Sequence, residues 1–299
     1  MNILQKIGVF TTITLLSTLP AISHAAIFFS STPVQSVNVG DTFIVNTQFN
    51  TEGQNINTVE GTIEITGNAA EITELSVGGS ALSLWPTKPS LSFTNNSNTI
   101  EFIGGVPGGF NKGDALLFNI ILKATRPGQI IINPKTITAY ENDGNGTSKT
   151  ASVKPLTVTV KASDDSPSDA WKDLISLDNT PPLDFVITLG QDKSAFGGQK
   201  FISFETTDSE SGIDHYEIKE GDLNAVRSSS PYVLQNQKKT LPITVAAFDK
   251  AGNSRIVTWS PPHSFANRIA VIGAWVLIIS LIILGLKYLL VLWKNKKKR

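Results

Sequence analysis

The sequence predicts an all-β chain: two β-sandwiches in series, followed by a single C-terminal transmembrane helix. Three observations predict it. From Ala26 onward, short runs that alternate apolar and polar residues recur, separated by clusters of Gly, Pro, Asn and Asp. The alternation stops at an acidic Ser/Pro stretch near residue 165 and then resumes. Near the end, Ile269 to Leu286 passes without a charge. As a helix that run would rise about 27 Å, against a hydrocarbon core of ~30 Å.

Residues 1–25 read as an export signal. Lys6 is the only charge, an apolar run follows from Ile7 to Leu16, and Ser23 and Ala25 put small residues at −3 and −1 of a cleavage site before Ala26. Charge supports the division. All 25 acids lie between Ala26 and Ala266 with 17 of the 25 Lys and Arg, which leaves that segment at −8 and the remainder purely basic. A net acidic body argues against nucleic acid as a partner. No cysteine occurs, so the exported part has neither disulfides, nor a thiol nucleophile, nor a Cys-based metal site.

Residues 26–162 are expected to form the first sandwich, a jelly roll of eight or nine short strands. In Thr42–Phe49, Phe43, Val45 and Phe49 share a face opposite Asn46 and Gln48. In Asn57–Thr66, Val59, Gly61, Ile63 and Ile65 face in, while Thr58, Glu60, Thr62 and Glu64 face out. Leu116, Phe118, Ile120 and Leu122 form a third buried stripe opposed by Asn119 and Lys123. Shorter strands fit Glu71–Val77, Thr99–Ile103, Gln129–Ile132, Thr136–Tyr140 and Lys154–Val160. Turns are expected at Gly40-Asp41, Gly67-Asn68, Gly78-Gly79, Gly104-Gly105, Pro107–Gly109, Pro127-Gly128 and Asp143–Gly146.

Several of these runs, in this order and spacing, resemble cohesin domains over about 135 residues. The opening Val37-Asn38-Val39-Gly40-Asp41-Thr42-Phe43-Ile44-Val45 is similar to the first cohesin strands. Val59–Ile63, Gly104–Phe110, Leu116–Ala124 with Pro127-Gly128, and Asn142–Gly146 follow in place. The resemblance implies a nine-stranded jelly roll that binds, as cohesins bind dockerin modules, rather than catalyses. It also implies kinship with carbohydrate-binding modules of the same fold.

Residues 163–179 form an acidic Ser/Pro linker, in which Ala170–Leu177 is expected as a short helix with Ser168 as N-cap and Trp171, Leu174 and Ile175 on one face. Residues 180–262 hold about seven strands, the scale of an immunoglobulin-like sandwich. Phe185, Ile187 and Leu189, then Tyr216 and Ile218, then Ile243, Val245 and Ala247 are its inward positions. Asp208–Asp214 and Ala246–Asn253 resemble bacterial Ig-like surface repeats, which implies a spacer. Residues 267–293 are the expected span, and the tail 294–299 carries five basic side chains that would hold the C-terminus in the cytoplasm. The expected location is therefore the cell membrane, single-pass, with the N-terminus extracellular.

Of the chemistries considered, catalysis finds least support. A Ser-His-Asp set would need His215, on an outward strand face, or His263, in a Pro-rich stretch, and neither has the context of an activated nucleophile. Both read as surface histidines. Calcium is the more plausible ion. Asp143 and Asn145 offer hard oxygens in a turn, as does Asp208-Ser209-Glu210, although plain hairpin chemistry also explains Asp-Gly and Asn-Gly. Trp85 and Phe110 sit in loop-rich sequence where they would either stack on a sugar or plug the end of the core.

The resemblance implies that a partner docks on the flat face containing Asn57–Thr66 and Thr99–Ile103. With Val59, Ile63, Ile65, Ile100 and Phe102 turned inward, Glu60, Thr62, Glu64 and Glu101 face out. The leading expectation is a membrane-anchored surface protein that binds an extracellular, dockerin-like protein module through this face. The alternatives are direct polysaccharide binding by the same sandwich and a structural envelope protein without a specific ligand.

Overall fold

Most period-two runs of Phe, Val and Ile become strands, although Phe185 and Ile187 precede one rather than lying in it, and further strands arise outside the predicted runs. A computed structural model describes residues 26–94, 97–238, 241–261 and 274–287. Contacts divide the chain into one unit of Met1–Leu75 and Ser80–Asp169 and another of Ser76–Gly79 and Ala170–Arg299. The expected export signal, residues 1–25, lies outside the described residues.

The strands of the first unit are β1 (Ile27–Ser31), β2 (Ser36–Asn38), β3 (Thr42–Asn50), β4 (Ile56–Thr66), β5 (Ala70–Ser76), β6 (Leu84–Thr94), β7 (Ser97–Phe110), β8 (Ala115–Ala124), β9 (Gly128–Glu141), β10 (Ser148–Thr150), β11 (Ser152–Lys154) and β12 (Leu156–Lys161). They form a five-stranded sheet in the order β11-β1-β3-β8-β5 and a seven-stranded sheet in the order β2-β12-β9-β4-β7-β6, with β10 pairing β9. The sheets meet over an aromatic core. Phe102 of β7 lies edge-on to Phe118 of β8 at 5.0 Å and stacks near Phe28 of β1 at 6.4 Å. All three are 1% exposed or less.

Local chemistry explains the irregularities. Between β3 and β8 the register shifts at Thr47, whose side chain is fully buried. Its hydroxyl donates to Phe118 O and accepts from Phe118 N, so the bulge leaves no orphaned backbone group there. The two strands expected at Gln129–Ile132 and Thr136–Tyr140 are one, β9, with a register shift at Pro134 and Lys135. Gly104-Gly105 and Pro107–Gly109 lie within β7, where the ladder to β4 breaks off after Gly105 and resumes at Phe110. The stripe in β8 is wider than expected: burial is continuous from Leu117 to Leu122 and includes Asn119.

The second unit begins with α1 (Ala170–Leu177), the residues predicted to be helical, with Trp171 buried. Ser168, the expected N-cap, is engaged by Asp41, to which its hydroxyl and its backbone N–H both donate. Seven strands follow: β13 (Thr188–Gln191), β14 (Lys200–Ser203), β15 (Ile213–Glu220), β16 (Val226–Ser228), β17 (Tyr232–Val233), β18 (Ile243–Asp249) and β19 (Ser254–Trp259). They form sheets in the orders β13-β14-β17 and β16-β15-β18-β19. Phe185, Ile187, Ile202, Phe204, Ile218, Ile243, Val245 and Ala247 share the core between them, at the alternating positions that the sequence marks.

The expectation of a transmembrane helix is corrected. Near the C-terminus the described residues 274–287 are helical. Among the described residues no helix is long and apolar enough to cross a membrane. The single-pass placement and the cytoplasmic C-terminus derived from it are therefore not supported. Residues 267–273 and 288–293 of the expected span, and the tail 294–299, lie outside the described residues.

Candidate functional site

The open face of the seven-stranded sheet is set by β4, its middle strand. Alternation turns Val59, Ile63 and Ile65 into the core and leaves Glu60, Thr62 and Glu64 half-buried on the other side. Register places the neighbours. Thr62 lies between Thr136 of β9 and Glu101 of β7, and Ser90 of β6 follows Glu101. One row along, Glu60 lies between Thr138 and Ile103, with Thr87 beyond. The four outward residues that the sequence indicates thus share one face, and a shallow depression lined by Glu60, Thr62, Thr87, Glu101, Thr136 and Thr138 crosses it.

Close backbone packing sets β9 against β4 on the core side of the same strands. Gly61 stands where β4 and β9 approach closely, and a Cβ there would lie 2.3 Å from Ile137 Cδ1 and 2.8 Å from Thr136 O. Ile137 fills the core position that a larger residue 61 would occupy, which lets β9 lie flat beside β4.

The carboxylates of the face differ in their engagements. Tyr140 donates its hydroxyl to Glu60 Oε1 at 2.7 Å, and that bond pushes the phenol above its ordinary pKa. Lys135 lies 2.7 Å from Glu64 Oε2, and its hydrogen bond holds the Glu64 carboxyl below its ordinary value. Glu101 is exposed on the strand next to them. The result is a flat, acidic, hydroxyl-rich surface whose two outer carboxylates are already oriented.

The other predicted site residues fall elsewhere. Phe110 is 8% exposed and edge-on to Phe49 at 6.3 Å, so it belongs to the core and presents no stacking face. Trp85 is half-buried, its ring occupying the space beside Gly104 and Leu82, and its Nε1 is shielded without a hydrogen-bond partner. Asp143 Oδ1 accepts from the N–H groups of Asn145 at 2.8 Å and Gly146 at 2.9 Å, and Oδ2 accepts from the Thr147 hydroxyl. The carboxylate closes its own turn, and Asn145 enters through its backbone only. His215 stacks on Phe248 at 4.7 Å and lies between Asp214 and Glu217.

One group of residues escaped the sequence reading. Asp178, Asp208 and Asp249 of the second unit are all buried and converge. Of the three, the sequence offers Asp208 alone as a hard oxygen ligand for calcium, within the turn Asp208-Ser209-Glu210. The Asp-x-x-x-Gly pattern of Asp208–Gly212 and the Asp-x-x-x-Asn of Asp249–Asn253 were the available signals, and both read equally well as plain turns.

Neither a known family nor a curated protein matches the sequence. Solved structures similar to the chain are cohesin modules. One is a non-cellulosomal cohesin from the hyperthermophilic archaeon Archaeoglobus fulgidus: 15% identity, TM-score 0.37, covering 46% of this chain and 92% of that one. Another is the cohesin module of a Clostridium perfringens family 33 glycoside hydrolase: 13% identity, TM-score 0.38, covering 46% and 99%. A third comes from a type I cohesin–dockerin complex of Clostridium thermocellum: 14% identity, TM-score 0.37, covering 47% and 96%. At this distance the likeness identifies neither a partner nor an activity.

Proposed function

We propose that the first unit is a binding module that docks a protein partner on the open face of β9, β4, β7 and β6. The observation that carries this reading is the depression across Glu60, Thr62, Glu101, Thr136 and Thr138, with acidic groups on a rigid sheet rather than on loops. Fixed strands cost little ordering entropy on association, which suits recognition by a preformed surface. The chemistry of the face fits a partner that presents lysine or arginine among hydroxyl or amide groups. Glu101 meets it directly, and Glu60 and Glu64 are held in place by Tyr140 and Lys135.

The test captures proteins from the secreted fraction of the source cells on the immobilised full chain, beside a Thr62→Arg/Glu101→Lys variant. Wild type should retain a basic protein that the variant loses by at least about 100-fold in affinity, because juxtaposed like charges cost several kcal/mol. The variant should keep the wild-type circular dichroism, since neither side chain enters the core. Equal capture by both chains refutes the reading. Loss on Trp85→Ala alone would favour direct sugar binding beside the sandwich.

A further inference from the structure

Three aspartates from separate connections of the second unit meet at one point. Asp178 follows α1, Asp208 precedes β15, and Asp249 ends β18. One carboxylate oxygen from each lies within 4.8 Å of the others. The residues are 4%, 2% and 2% exposed. None of the three forms an ion pair with a lysine or arginine among the described residues. Three carboxylates gathered this closely away from water repel one another unless a proton or a cation sits among them.

Hydrogen-bond donors hold the three carboxylates in place. Asp178 accepts from the Thr180 N–H at 2.9 Å, the Thr180 hydroxyl at 3.0 Å and the Ser211 N–H at 3.1 Å. Asp249 accepts from the Asn253 N–H at 2.8 Å and from the Asn253 amide at 3.0 Å. Asp208 Oδ1 accepts from the N–H groups of Glu210 at 3.0 Å and Gly212 at 2.8 Å. Its Oδ2 is shielded from solvent and has no hydrogen-bond partner. That oxygen is unsatisfied within an acidic pocket, and leaving a buried carboxylate oxygen so is costly unless a ligand takes it up.

We propose that Asp178, Asp208 and Asp249 bind a calcium ion. The donors are all oxygen, with neither histidine nor cysteine, which selects a hard cation. Oxygens on opposite sides of calcium stand about 5 Å apart, from bond lengths of ~2.3–2.6 Å; magnesium requires about 4 Å. Oxygens that all lie within 4.8 Å of one another fit around calcium, whose flexible shell tolerates irregular donors better than the octahedron of magnesium. The two stretches in which this unit resembles bacterial surface repeats, Asp208–Asp214 and Ala246–Asn253, each contribute one ligand, and the residue after α1 contributes the third. The ion joins the entry of the unit to the end of the β15–β18 pair where β15 starts and β18 stops, so it acts as a structural clasp.

The experiment follows thermal unfolding of the chelator-treated full chain while calcium is added to about 1 mM, the range of weak structural sites. Wild type should gain about 5 °C or more in one transition. Asp208→Asn should be at least as stable as wild type in chelator, because a repelling charge is gone, and should not respond to calcium. Magnesium at the same concentration should give a smaller shift, and an equal or larger shift overturns the assignment to calcium. No calcium response in wild type, or a full response in Asp208→Asn, overturns the site. If Asp208→Asn does not fold, equilibrium dialysis of wild type decides: about one calcium per chain at 1 mM supports the site, and none refutes it.

Discussion

Asp143 shows what a turn carboxylate does when it serves the backbone alone. The Thr147 hydroxyl, together with the Asn145, Thr147 and Gly146 N–H groups, lowers its pKa from 3.8 to about 2. A depressed value means that its contribution is complete above the ordinary range and disappears as pH falls from about 4 toward 2. An NMR titration of the side-chain carboxyl should show that low midpoint, and Thr147→Val should move it back toward 3.8. An unchanged midpoint in the variant would show that the hydroxyl is not its cause. Asp143 was legible because a turn needs only its neighbours. The triad of Asp178, Asp208 and Asp249 was not, because strand pairing brings its members together and each has ordinary local neighbours. The outward glutamates were legible for the opposite reason: alternation along one strand fixes the side on which each residue stands.

At the scale of elements, the strands with clean alternation, β3, β4 and β18, match the sequence reading, and those interrupted by special residues do not. β6 carries Pro86 and Pro89, and β7 contains Gly104, Gly105, Gly108 and Gly109, so turn chemistry masked β6 and the continuation of β7 beyond the expected Thr99–Ile103. Gly61 offers a test of the β4–β9 contact. Gly61→Ala should destabilise the first unit by about 1–3 kcal/mol in denaturant titration, since the new methyl meets the Thr136 carbonyl as well as Ile137. A change within about 0.5 kcal/mol would mean that the strands can separate without strain.

For the whole molecule, two disjoint cores imply two unfolding events. Phe102→Ala should cost about 3–5 kcal/mol and shift only the transition that chelation and calcium leave unchanged. If both transitions move together in calorimetry, the cores are not independent. In the stretch expected as a linker, Ser168 and Pro167 pack back onto the turn at Gly40 and Asp41 rather than hanging free. The outer strand of the larger sheet has a bearing on behaviour in crowded surroundings. β6 ends its sheet with Phe93 72% and Leu91 45% exposed, an arrangement that ordinarily invites a second molecule to continue the ladder. Pro86 and Pro89 withhold two N–H groups, Lys88 adds a charge, and the register shifts on either side of Thr87 bend the rim. A copy arriving edge-on finds missing rungs, so many molecules can be packed side by side without their sheets fusing into fibrils.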